Sequence, residues 1–150
     1  MFSNQSIDEN YVPVLKQIYV SPEMILARLE QLIDEHYKEE KDPVFYADRL
    51  ALGIQKLNHI TREHTQQTVF MLVQQRVLLE SKRLLLVGGM PIKFIAYELG
   101  FEYPSYFCRF FKKMTGLRAK DWRRGMKICQ RLELNDALPL SSNRNSKPKC

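Results

Sequence analysis

A pattern of apolar residues occurs twice in this chain, and no other feature limits its architecture as strongly. Ala47, Leu50 and Leu52 are answered 49 residues later by Ala96, Leu99 and Phe101, and Leu57, Ile60 and Thr65 are answered 50 residues later by Phe107, Phe110 and Thr115. The step from 49 to 50 is one inserted residue at the point where a turn would tolerate it. Such a match in both period and chemistry predicts one supersecondary unit built twice.

The period inside each unit is helical. Apolar residues recur at three and four positions, as one buried helical face requires, whereas strand-like alternation is confined to Val14–Val20. The chain therefore reads as all-α. Ser21-Pro22 places a capping side chain before a proline at the first helical position, and the helix it opens runs to about Lys38 with Ile25, Leu29, Leu32 and Ile33 inward. Asp42-Pro43 repeats that start for a short helix with Ala47 and Leu50 on its inner face and Val44 and Tyr46 near its edges. Gly53 breaks the pattern, and a second short helix over Ile54–His64 buries Leu57, Ile60 and His64. Thr68–Leu86 reads as a longer helix so rich in apolar residues that it must be surrounded on several sides, and Gly88-Gly89 ends it. After the second short pair, a last helix near Arg118–Leu134 turns Trp122, Met126 and Cys129 inward and Lys120, Arg123, Arg124 and Lys127 outward.

Length and composition suit a single compact body with tails: 150 residues, 45% hydrophobic and 27% charged. The charge is uneven. Residues 1–43 hold 9 acids and 4 bases, while residues 44–150 hold 19 bases and 8 acids, a net +11 on the larger part. That excess points to an anionic partner. Cys108, Cys129 and Cys150 are odd in number and widely spaced, which excludes a zinc-site spacing or a secreted disulfide framework and fits reduced thiols in the cytoplasm. No apolar run approaches the roughly 20 residues a membrane span needs, and Met1–Asn10 lacks the pattern of a secretory leader. Catalysis is equally unsupported, since no acid pair or activated nucleophile is evident. His59 and His64, five apart on a helix, point roughly 140° away from each other and cannot share a metal. No cofactor, metal site or enzyme activity is expected.

What each unit does offer is an apolar back with a polar front, the pattern by which a helix-turn-helix presents its second helix to the major groove. In the second unit Phe107, Phe110, Phe111 and Met114 form the back, leaving Ser105, Tyr106, Arg109, Lys112 and Lys113 for nucleic acid. Arg109, one turn into its helix, is placed to donate two hydrogen bonds to guanine. In the first unit Gln55, Asn58 and His59 share one face, flanked by Lys56 and Arg62, and amide side chains suit adenine. The connecting helix, 19 residues and about 28 Å long, is near the roughly 34 Å between successive major-groove sites on one side of B-DNA. Because the two fronts differ, the expected site is asymmetric and one chain suffices to read it.

The run Ile92-Lys93-Phe94-Ile95-Ala96-Tyr97-Glu98-Leu99-Gly100-Phe101, followed by Pro104-Ser105-Tyr106-Phe107-Cys108-Arg109-Phe110-Phe111-Lys112-Lys113-Met114-Thr115-Gly116, closely resembles the second helix-turn-helix of the AraC/XylS regulators. The resemblance continues back through Arg76, Ser81 and Leu84-Leu85 to Tyr46-Ala47-Asp48-Arg49-Leu50, and covers most of residues 24–125. It implies a seven-helix domain with two helix-turn-helix subdomains joined by a long central helix. Base contacts then fall to Gln55, Asn58, His59, Ser105 and Arg109, and phosphate contacts to Lys93, Lys112 and Lys113. Lys56, Arg62 and Tyr106 are further phosphate candidates on the same fronts. The first unit departs from the family pattern at Ala51, where a turn glycine or small polar residue is usual, at Gly53 in place of a capping Ser or Thr, and at Gln66, where glycine commonly follows the threonine. In the second unit Glu102 takes the usual capping-serine position.

The expected organisation is a linker or domain remnant over 1–20, the tandem helix-turn-helix domain over 21–134 and a disordered tail over 135–150; the chain is either a stand-alone short member or a fragment. Its expected partners are promoter DNA and RNA polymerase, with the chain a monomer or weak dimer acting as an activator or a repressor at the bacterial nucleoid, in the cytoplasm, with no membrane partner. The alternative reading is a basic helical module that docks polymerase or another regulator and touches nucleic acid only non-specifically.

Overall fold

The computed structural model describes residues 20–137, with side chains to residue 134. The expectations for residues 1–19 and 138–150 lie outside the described residues. Within them the chain forms seven helices and no strand: α1 Pro22–His36, α2 Pro43–Arg49, α3 Ile54–Thr65, α4 Val69–Val87, α5 Ile92–Glu98, α6 Pro104–Thr115 and α7 Ala119–Ala137. The helix starts are where local chemistry places them. Ser21 accepts from the Met24 amide at 3.3 Å and Asp42 from the Val44 amide at 2.9 Å, each with proline as the next residue.

Two compact units divide the chain, one to Arg76 and one from Val77, so that α4 contributes its first part to the first unit and its remainder to the second. In unit one α1 packs on α2 and α2 on α3; in unit two α5 packs on α6 and α6 on α7. The core of unit one is Leu29, Leu32, Ile33, Tyr46, Ala47, Leu57, Val69 and Val73. That of unit two is Val77, Leu85, Ile95, Ala96, Leu99, Phe107 and Phe111.

The repeat is exact in backbone terms at both offsets. Helix α5 begins 49 residues after α2 and α6 begins 50 after α3, so the extra residue lies in the turn. Each first helix ends in the same hydrogen-bond pattern. The amide of Leu52 donates to Ala47 O and that of Ala51 to Asp48 O, both at 3.0 Å, matching Phe101 to Ala96 O and Gly100 to Tyr97 O, also at 3.0 Å. This closure needs a left-handed residue after the helix. Unit two supplies Gly100 at φ 75° and, after α6, Gly116 at φ 78°. Unit one puts Ala51 at φ 53° and Gln66 at φ 61° in the equivalent places. The departures from the family pattern at 51 and 66 therefore leave the turn's geometry unchanged and load it with strain, because a Cβ crowds the backbone there. Ala51→Gly and Gln66→Gly are each expected to stabilise unit one by about 1 kcal/mol, the relief of strain exceeding the added unfolded-state entropy. Gly100→Ala and Gly116→Ala should lose a similar amount, and urea unfolding of the four variants checks both signs.

Several side chains sit elsewhere than expected. Tyr46 is not at an edge but fully buried, with its hydroxyl donating to Glu40 O at 2.7 Å; burial pushes the phenol up to about 12. His64 is exposed, not inward, because Thr61 takes the buried position at 0% exposure and donates to Asn58 O at 3.1 Å. Helix α4 buries Val69, Val73, Val77, Glu80, Ser81 and Leu85, while Phe70, Met71 and Leu79 face solvent, so part of its apolar content is exposed instead of enclosed. At 100° per residue, steps of four turn the buried row by about 160° between Val69 and Leu85, so it winds round the helix instead of following one face. Cys129 is exposed too, since α7 packs only through its first two turns, where Trp122 meets Phe111 edge-on at 5.8 Å.

Candidate nucleic-acid interface

The two second helices present equivalent surfaces. On α3, Leu57, Ile60 and Thr61 are buried; fifty residues on, α6 buries Phe107 and Phe111 and half-buries Phe110. Aromatic edges hold that second back in place, with Phe107 5.5 Å from Phe101 and 5.9 Å from Phe111. The fronts correspond residue by residue. Gln55, Lys56, His59 and Arg62 on α3 are exposed, as are Ser105, Tyr106, Arg109 and Lys112 at the matching positions of α6. Lys93, on α5, and Lys113, on α6, are exposed as well.

The charge of the fronts differs. Unit two carries Arg109, Lys112 and Lys113 where unit one has His59, Arg62 and Glu63, and the His59 ring nitrogen Nε2 lies 3.3 Å from the Glu63 carboxylate. No ion pair engages Lys112 or Lys113 among the described residues, so both ammonium groups remain available to an anion. The Arg109 guanidinium lies over the Tyr106 ring, 5.2 Å from its centroid, which limits its rotamers without neutralising it. An arginine held this way keeps its planar fork of donors free.

One expected reader has another task. Asn58 Oδ1 accepts from the Val69 amide at 3.0 Å and so caps α4, where Thr68 Oγ1 also accepts from the Met71 amide at 3.3 Å. With its oxygen turned to that amide and its side chain half-buried, Asn58 does not present adenine the paired acceptor and donor of a free carboxamide. Its counterpart Cys108 is exposed. Arg123 is a second correction: it does not point outward but donates from Nη2 to Met90 O at 2.7 Å, tying α7 to the loop before α5. Nor is Glu102 the residue before α6, which is Tyr103 and makes no side-chain cap; the longer turn moves the helix start by one.

Two residues that the sequence reading did not assign to the site belong with it. Arg118 and Lys120 flank the start of α7 and line, with Lys112 and Arg109 of α6, a groove of about 290 Å³. A three-residue loop, Gly116 to Arg118, joins the two helices, and no helical period links the two pairs. Among the described residues no group of three or more His, Cys, Asp or Glu is placed to hold a metal ion, and no helix is long and apolar enough to cross a membrane.

An apolar back and an exposed polar front on the second helix of each pair define a tandem helix-turn-helix protein. A helix-turn-helix domain family model matches residues 46–125, more than half the chain. The arabinose operon regulatory proteins of Salmonella typhimurium and Escherichia coli K12 are each 29% identical over 96 residues, and the chain spans 33% of their length. Among solved structures, the C-terminal domain of AraT, a response regulator from Geobacillus stearothermophilus, is similar at TM-score 0.63 and 26% identity, covering 71% of this chain and 88% of that one. The DNA-binding domain of AdpA, solved with a target DNA, gives TM-score 0.64 at 20% identity over 71% of this chain and 96% of that one, a likeness of fold. The chain belongs to the AraC family of helix-turn-helix transcription regulators.

Proposed function

We propose that this chain regulates transcription by binding duplex DNA sequence-specifically, with α3 and α6 each laid in the major groove. The observation that carries the reading is the correspondence of the two fronts: at a constant offset of 50, exposed polar residues stand over a buried back in both units. Arg109 and Ser105 read bases from α6, Gln55 and His59 from α3; Lys93, Lys112, Lys113 and Tyr106 in unit two, with Lys56 and Arg62 in unit one, hold phosphates. Asn58 supports α3 from behind. Family membership supports the same reading, as do the arabinose operon regulators and the AdpA domain solved on its target.

The chain regulates transcription in the bacterial cytoplasm, binding promoter DNA as a monomer or weak dimer and touching RNA polymerase, without catalysis. Residues 21–134 form the DNA-binding domain. Selection of bound duplexes from a random pool at physiological salt, then titration of the winner against a scrambled site, tests the reading. The expected result is an asymmetric site with two enriched blocks, bound on the order of a thousandfold more tightly than the scrambled duplex. Salt-sensitive binding with no enrichment would instead establish the non-specific docking module.

A further inference from the structure

The groove beside α6 has a composition that the reading faces lack. Its floor is Ile92, Cys108 and Ala119, and its rim is Arg109, Lys112, Arg118 and Lys120. Four cations around an apolar floor make an amphipathic slot. Among the described residues none of the four carries an ion pair, and the nearby acid Asp121 does not line the slot. Ala119, the first residue of the 19-residue helix α7, is 2% exposed there, so the positive end of that helix adds to the same potential.

We propose that this groove seats the sugar–phosphate backbone of one DNA strand, with Arg118 and Lys120 as phosphate contacts beside Lys112. The inference rests on the duplex-binding reading above. A nucleic-acid backbone alternates a charged phosphodiester with a deoxyribose whose C–H faces are apolar, which is the alternation the groove offers. Arg109 stands between this groove and the front of α6, so a strand held here fixes the depth and angle at which α6 meets the base edges. Arg118 and Lys120 are then positioning residues that set register and carry no sequence information themselves.

The test uses the full chain with the selected duplex and its scrambled counterpart, titrated between 50 and 300 mM salt. Removing two phosphate contacts should lower the slope of log K against log salt by about 2. Arg118→Ala/Lys120→Ala is expected to do so on both duplexes, weakening each about tenfold or more while leaving their ratio unchanged. Lys127→Ala/Arg131→Ala removes the same charge from exposed positions further along α7 and should leave the slope nearly unchanged. If the two double variants behave alike, only net charge matters and the groove assignment is overturned. A second readout is alkylation of Cys108 by N-ethylmaleimide in a Cys129→Ser/Cys150→Ser background. The duplex should slow it at least tenfold; inorganic phosphate at the same ionic strength should not. Unslowed alkylation under saturating duplex, or equal protection by inorganic phosphate, would overturn the backbone assignment. A wild-type chain that fails to distinguish selected from scrambled duplex overturns the base-reading function instead, and the groove measurements stand apart from it.

Discussion

Phe107→Ala is expected to cost about 3 to 5 kcal/mol, enough to melt unit two or leave it marginal. Phe107 is fully buried within a chain of rings: it meets Phe101 edge-on, its other side lies against Phe111, and Phe111 in turn meets Trp122 of α7. Truncation removes a side chain that, with Phe110, joins the turn residue Phe101 to the back of α6, and the fixed helix ends on either side prevent collapse into the cavity. Urea unfolding followed by Trp122 fluorescence reads the loss directly, since that indole is packed in unit two. Phe107→Leu keeps most of the volume and should lose less than half as much. Equal stability of Phe107→Ala and the parent chain would mean that this aromatic cluster is not what holds α6 in place.

The second large effect is on recognition. Arg109→Ala should weaken the selected duplex by about 1 to 3 kcal/mol, roughly five- to 150-fold, and relax preference at one base pair while the affinity for scrambled DNA falls far less. Arg109→Lys should not restore the preference, because an ammonium lacks the planar fork that meets guanine N7 and O6 together. Lys112→Ala provides the contrast: it should weaken all duplexes alike and reduce the salt slope by about 1. Duplex competition titrations at fixed salt distinguish these outcomes. Were Arg109→Ala and Lys112→Ala to weaken every duplex to the same degree, Arg109 would be a phosphate contact and base readout by α6 would have to rest on Ser105.

Unit two was the more legible half, and the reason is chemical. Its turn residues are glycines where the backbone is left-handed, its back is aromatic and its front carries three cations, so each local feature agrees with the fold. In unit one the same backbone is built with Ala51 and Gln66 at positive φ. Those residues read as exceptions because the closing hydrogen bonds of Leu52 and Ala51, which demand the strained geometry, are not visible to residue preferences. His64 and Thr61 illustrate a different failure. They lie three apart on α3 and either fits an apolar-facing period loosely; the neighbouring core accepts a small hydroxyl that can donate to its own helix and excludes a ring.

Tyr46 and Asn58 mark the limit of pattern reading within a helix. Both hold a polar atom whose partner is remote in the chain or lies outside the helix: Glu40 O before α2 for the phenol, and the Val69 amide eleven residues on for the carboxamide. A buried polar side chain and an exposed reader look alike until that partner is known. The groove of Arg118 and Lys120 is similar, since a loop brings them alongside α6.

From the sequence by itself follow the helix positions, the duplication with its one-residue insertion, the apolar backs and the order of exposed residues along α3 and α6, because caps, prolines and a 3.6-residue period are local properties. Tertiary structure alone decided which of the polar residues are free. That depends on orphan amides, carbonyls and cavities supplied by other segments: Asn58, Arg123 and Tyr46 each found a partner that the chain brings from elsewhere, and Arg118 and Lys120 came to line one groove with α6.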